Sequence, residues 1–180
     1  MYKFEKKIRS RKLYEGIIVD VLMDDIELPN KKSAKREIVV HPGGVCILPV
    51  DNDGNVYLVE QYRYAAESLM LEAPAGKLEP GEDPLLCAKR ELIEETGCSA
   101  GNWISLGDVF TSPGFSTEKL HLYLATDLKN GTPCPDEDEF VELKTMRLDE
   151  LIKLIDENKI SDGKTVIAAL RTKRYFEKQS

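Results

Sequence analysis

An α+β fold is predicted by three features of the chain: short β-like runs through most of its length, one strongly helical stretch set among them, and two amphipathic helical segments at the end. The first forty residues add a small antiparallel sheet of their own.

Residues 1–42 combine many charges with β-like runs, Gly-Ile-Ile-Val-Asp-Val-Leu within residues 14–23 and Arg-Glu-Ile-Val-Val at 36–40, and Leu28-Pro29-Asn30 marks a turn between them. Two or three antiparallel strands are too few to be stable alone. This segment therefore packs on the rest of the chain or on a second copy of it. His41 precedes Pro42-Gly43-Gly44, where the chain must turn, but it and His121 are the only histidines and both stand in strand-like contexts. Histidine chemistry has little support.

Residues 44–50 and 55–61 read as apolar strands joined by Asp51-Asn52-Asp53-Gly54, a hairpin turn signal. Arg63 ends the second strand, between Tyr62 and Tyr64. Residues 69–73 form a short strand running into Pro74-Ala75-Gly76, and Glu79-Pro80-Gly81-Glu82 has Pro and Gly at the central positions of a type II turn. Gly76 allows a close backbone approach.

From Leu85 to Thr96 most residues are good helix formers, so Glu91 and Glu95 share one face, with Glu94 beside them. Like charges so stacked destabilise a helix. A hard divalent ion with oxygen ligands, such as Mg2+, would relieve the repulsion, and Arg90, four residues before Glu94, neutralises only part of it. A solvated helix face is the usual reading of such a charge run. The spacing opposes it: the seven fixed positions Gly76, Glu82, Arg90, Glu91, Glu94, Glu95 and Gly97 match at one start with probability on the order of 10^-8 at ordinary residue frequencies.

With Leu92 and Cys98 in its two apolar positions, this stretch resembles the signature of the Nudix hydrolases, which cleave nucleoside diphosphates linked to a further group. Cys98 stands where the family usually has an aliphatic residue. The resemblance implies a Nudix α/β/α sandwich with a mixed sheet over residues 43–180, and an N-terminal β-strand segment, 1–42, that serves dimerisation. It also implies metal ligands at the Ala75 carbonyl, Glu91 and Glu95. Glu82 is expected to pair with Arg90 and fix the loop, and Glu94 to take a direct or water-mediated part.

Strands are expected at residues 104–111 and 120–125, with Ser112-Pro113-Gly114-Phe115-Ser116-Thr117-Glu118 between them. That segment is similar to the SPG-containing one of the ADP-ribose pyrophosphatase branch. The likeness implies substrate contacts from Arg63, Arg36, Gly76, Gly114 and Glu118. The acidic run Asp136-Glu137-Asp138-Glu139 would be a solvated loop tip in an arbitrary protein. In this branch the corresponding loop carries a glutamate acting as base or extra metal ligand, which makes Glu139, then Glu137, the candidates. Residues 148–158 form an amphipathic helix through Leu148, Leu151, Leu154 and Ile155, and Ser161 or Asp162 caps another containing Val166, Ile167 and Leu170.

A net charge of -7 disfavours nonspecific nucleic-acid binding, which needs a basic surface. No run approaches the ~20 apolar residues of a membrane helix, and the N-terminus lacks a signal-like apolar stretch, so a cytoplasmic location is expected. Cys46, Cys87, Cys98 and Cys134 form no CxxC pair and read as reduced structural residues. The resemblance thus implies a small nucleoside diphosphate sugar as partner, ADP-ribose first, and Mg2+ as cofactor with Mn2+ as an alternative. Another nucleoside diphosphate sugar or a dinucleotide is the second choice of substrate, and a non-cleaving ADP-ribose sensor the third reading. A homodimer through the N-terminal strands is expected. Sedimentation equilibrium at micromolar concentration should return twice the chain's mass, and a single-chain species would count against the dimer.

Overall fold

The computed structural model describes residues 4–134 and 140–179, and the chain divides into two compact units. The first contains the residues up to Gly43 together with Phe110–Lys119; the second contains Gly44–Val109 and the chain from Leu120 onward.

In the first unit β1 (Lys6–Glu15), β2 (Asp20–Glu27) and β3 (Ser33–Val40) form an antiparallel sheet in that order. The apolar run at 14–23 is not one strand. Gly16 donates to the Val19 carbonyl at 3.1 Å and turns the chain there, where a Cβ would meet the Tyr14 ring at 2.6 Å. The charged N-terminus supplies β1 instead, exposed along its whole length because it pairs only with β2. The segment that contains Ser112-Pro113-Gly114 is fastened to the end of β3. Val39 donates to the Phe115 carbonyl at 2.7 Å, Thr117 donates back to the Val39 carbonyl at 3.0 Å, and the His41 N–H donates to Thr117 Oγ1 at 2.9 Å.

The second unit contains β4 (Gly44–Pro49), β5 (Asn55–Arg63), β6 (Ser68–Glu72), β7 (Ala75–Lys77), α1 (Pro84–Thr96), β8 (Ser99–Phe110), β9 (Lys119–Lys129), β10 (Val141–Arg147), α2 (Leu148–Asp156) and α3 (Gly163–Glu177). Strands at the unit boundary, β8 and β9, extend a residue beyond it. One sheet runs β7-β4-β9-β8, with β4 parallel to β9 and antiparallel to β7; the other runs β10-β5-β6 and is antiparallel.

Every residue of β4 is buried, since successive side chains point to opposite faces and both faces are covered. Val45 and Ile47 pack with Cys87, Ala88 and Leu92 of α1. Cys46 and Leu48 join Leu122 and Leu124 of β9, with Leu151 and Ile152 of α2 and Ala168 and Ala169 of α3. Helices on both faces of a mixed sheet make this unit an α/β/α sandwich.

The turn at Asp51-Asn52-Asp53-Gly54 forms as its residues demand. Asp51 Oδ1 accepts from the Asp53 and Asn55 N–H groups, and Gly54 adopts φ 78°. It does not close a hairpin, however. β4 and β5 meet only at the Val50–Val56 bridge and then enter different sheets, because both edges of β4 are occupied by β7 and β9. Leu122 is fully buried against the α2 and α3 side of the sheet. Leu122→Ala is expected to cost about 2–5 kcal/mol of stability, read by urea denaturation.

Candidate active site

The loop before α1 is shaped by local chemistry. The Glu82 N–H donates to the Glu79 carbonyl at 3.0 Å and Gly81 takes φ 78°, the geometry of a type II turn. Asp83 then caps α1, its Oδ1 accepting from the N–H groups of Leu85 and Leu86, and Pro84 occupies the first helical position, where no N–H is needed. Gly97 ends the helix at φ 73°, and a Cβ there would lie 2.5 Å from Pro133 N.

Arg90 gathers the acids around this loop. Its Nη1 donates to Glu91 Oε1 at 2.7 Å and Glu94 Oε2 at 2.9 Å, while Nε and Nη2 reach the two oxygens of Glu82 at 3.2 Å each. Glu82 also accepts from the Glu79 N–H at 3.0 Å. The Arg90 hydrogen bond and that backbone bond hold the Glu82 carboxyl at a pKa of about 2, well below its ordinary value. Glu82 therefore fixes the loop, as its pairing with Arg90 requires.

Glu91 and Glu95 turn inward and are buried, at 7% and 4% exposure. Glu95 Oε2 accepts from the Ala75 N–H at 3.0 Å. The Glu91 carboxylate lies so close to Gly76 that an added Cβ would overlap it, so the glycine is required by a side chain of the protein itself. Cys46 and Val45 of β4 are the ladder partners of Ala75 and Gly76, which ties β7 to the buried centre of the sheet.

Among the described residues no group of three or more His, Cys, Asp and Glu side chains forms a ready ion cage. What is present is a pair of buried carboxylates one helical turn apart, facing a backbone segment that carries no Cβ at Gly76. An oxygen-only donor set of this kind fits a hard divalent ion. The Ala75–Gly76 backbone lies beside both carboxylates.

The remaining predicted residues belong to both units. Arg63 holds Glu72 through two parallel bonds, Nε to Oε1 at 2.7 Å and Nη2 to Oε2 at 2.8 Å. Arg36 pairs with Glu5 in the first unit, at 3.0 and 2.5 Å. Glu118, in the same unit, accepts from Thr111 Oγ1 at 2.5 Å and stands 3.6 Å from His41 Nδ1. Gly114 is exposed with open space where a Cβ would stand. Glu137 and Glu139 lie outside the described residues.

Sequence reasoning missed Glu72, Lys164 and the second role of Asp162. Glu72 is 1% exposed and accepts from Arg63 and from Lys164, which also lies 3.1 Å from Asp162. Burial raises the Glu72 pKa, but the bonds to Arg63 and Lys164 outweigh it and keep the carboxyl below its ordinary range. An acid inside the apolar run 69–73 was the available signal.

The profile of the NUDIX domain matches residues 40–169. The chain belongs to the Nudix family. Among the relatives of this Nudix hydrolase, the methanol dehydrogenase activator of Bacillus methanolicus is 47% identical, over 91% of this chain and 90% of that protein. The ADP-ribose pyrophosphatase of Bacillus subtilis (strain 168) is 42% identical over the same shares, 91% and 90%. A crystal structure described as an ADP compounds hydrolase shares the fold with a TM-score of 0.87, at 23% identity and covering 98% of this chain and 96% of that one. Nudix hydrolases in general depend on divalent metal, in keeping with the carboxylate pair of α1. Gly76→Ala should displace Glu91 and lower pyrophosphate hydrolysis by about 100-fold while the circular dichroism spectrum is retained.

Proposed function

We propose that this Nudix hydrolase is a Mg2+-dependent ADP-ribose pyrophosphatase that adds water across the pyrophosphate bond and releases AMP and ribose 5-phosphate. The observation that carries the reading is similarity to a protein of that name at 42% identity along nearly the full length of both chains. The signature acids Glu82, Glu91, Glu94 and Glu95 are all present.

Glu91, Glu95 and the Ala75 carbonyl, with Glu139, are the oxygen donors for the ion. When bound, such an ion supplies positive charge at the phosphate oxygens. Arg90 keeps Glu91 and Glu94 in place through its short bonds to both. Glu139 takes the proton of the attacking water, with Glu137 and then Glu94 as the other candidates, a role worth ~10^2 to 10^4 in rate. Arg63 presents a guanidinium whose pose Glu72 has already set. Arg63 is our candidate contact for the substrate in the second unit, and Arg36, Gly114 and Glu118 are the candidates in the first.

A homodimer through the N-terminal strands is supported by the exposed edge strand β1 and by the exposed apolar residues Ile8, Leu13, Tyr14 and Ile17. Free thiols at Cys46, Cys87, Cys98 and Cys134 suit a reducing, cytoplasmic setting. A second reading rests on the 47% relative: that this chain activates a methanol dehydrogenase. Adding the chain to that enzyme and finding its rate unchanged would dispose of it.

The main test is release of AMP from ADP-ribose with and without Mg2+, beside ADP-glucose, GDP-mannose, NADH and diadenosine polyphosphates. Preferred cleavage of ADP-ribose, abolished by chelator and largely lost in a folded Glu95→Gln variant, is the expected result. ADP-ribose left intact while another compound is cleaved would keep the Nudix chemistry and overturn the substrate. Near-normal turnover by Glu95→Gln at saturating Mg2+ would overturn the metal assignment.

A further inference from the structure

Between β6 and β7 the chain runs Ala73-Pro74-Ala75, a strap held at successive peptide groups. The Ala73 N–H donates to Thr165 Oγ1 at 2.7 Å, the Pro74 carbonyl accepts from the Ile47 N–H at 2.8 Å, and the Ala75 N–H donates to Glu95 Oε2 at 3.0 Å. The strap thus ends on a carboxylate of the site. It begins on α3.

Thr165 is fully buried, and its hydroxyl is satisfied at both ends: it accepts from Ala73 and donates to Asp162 Oδ2 at 2.5 Å. Asp162 caps α3 by accepting from the Thr165 N–H at 3.0 Å. A cap needs nothing more than that backbone bond. The added relay from Asp162 through the Thr165 hydroxyl to the Ala73 N–H also ties the strap to the first turn of the helix. Glu72, the residue before the strap, is clamped between Arg63 and Lys164, and Lys164 is itself held 3.1 Å from Asp162 Oδ1. The first turn of α3 therefore supplies Asp162, Lys164 and Thr165 to a backbone segment about ninety positions earlier in the chain, with |i−j| of 92 for the bonds of Thr165 and Lys164.

We propose that Asp162, Lys164 and Thr165 are positioning residues that set the strap from Ala73 to Ala75 and, through the Ala75 N–H, the Glu95 carboxylate for metal binding. The inference rests on the metal role given above to Ala75 and Glu95. Groups that orient metal ligands from behind contribute to affinity although they never touch the ion. The relay is specific in its chemistry: valine fills the volume of Thr165 but neither accepts from Ala73 nor donates to Asp162, whereas serine does both.

Direct binding of Mn2+, followed by the electron paramagnetic resonance signal of the free ion, separates this role from a purely structural one. Measured well below the melting temperature, Thr165→Val should bind Mn2+ about 10-fold more weakly than the natural chain, and Thr165→Ser should restore the affinity. Unchanged Mn2+ affinity in folded Thr165→Val overturns the inference, even if its melting temperature falls. Should Thr165→Val not fold, Thr165→Ala, which removes the hydroxyl without a second methyl, is read the same way: weaker binding supports the relay and unchanged binding overturns it. A natural chain that binds no Mn2+ would overturn the metal assignment itself, and this inference with it.

Discussion

The arrangement of α1 depends on one guanidinium. Glu91, Glu94 and Glu95 crowd within two turns of helix, and like charges at such spacing each cost a few tenths of a kcal/mol. Arg90 offsets much of this by touching Glu91 and Glu94 directly and by spanning Glu82 on the preceding loop. Because its donors sit in a rigid fork, the same contacts that balance charge also fix direction. Glu91 is held toward Gly76, and the loop is held onto the helix.

That local unit gains its setting from β4. A strand buried on both faces fixes the sheet's position between α1 on one side and α2 with α3 on the other. Its ladder to β7 brings Ala75 and Gly76 against Glu95 and Glu91. The buried Glu72 beneath is tolerable only because Arg63 and Lys164 both neutralise it, since a lone carboxylate at 1% exposure would cost several kcal/mol. The site's backbone is thus held from beneath by charge pairs and from the side by sheet hydrogen bonds.

Much of this was legible in the chain. The type II turn at Glu79-Pro80-Gly81-Glu82 and the helix to Thr96 follow from residues close in sequence, and the family resemblance implied the Glu82–Arg90 pair, whereas the Asp83 cap went unread. The C-terminal helices follow from their apolar period, and α2 ends at Asp156, close to the expected end. Less legible was the N-terminal sheet: β1 carries mostly charges because it is an exposed edge, so it lacks the alternation that marks a half-buried strand. The turn at Asp51 to Gly54 was readable, but not the parting of β4 and β5, since strand pairing depends on which neighbours compete for each edge.

The loop, the helix and the acids of the Nudix signature are readable in the chain alone, because they rest on spacing along a helix and on turn residues that act within a few positions of one another. The commitment of Arg63 to Glu72, the pairing of Arg36 with Glu5 and the reach of α3 to the strap at Ala73 come from the folded chain. Those contacts join residues as far as 92 positions apart. They exist because strand register and helix packing deliver the partners to one place, and no local pattern encodes that meeting.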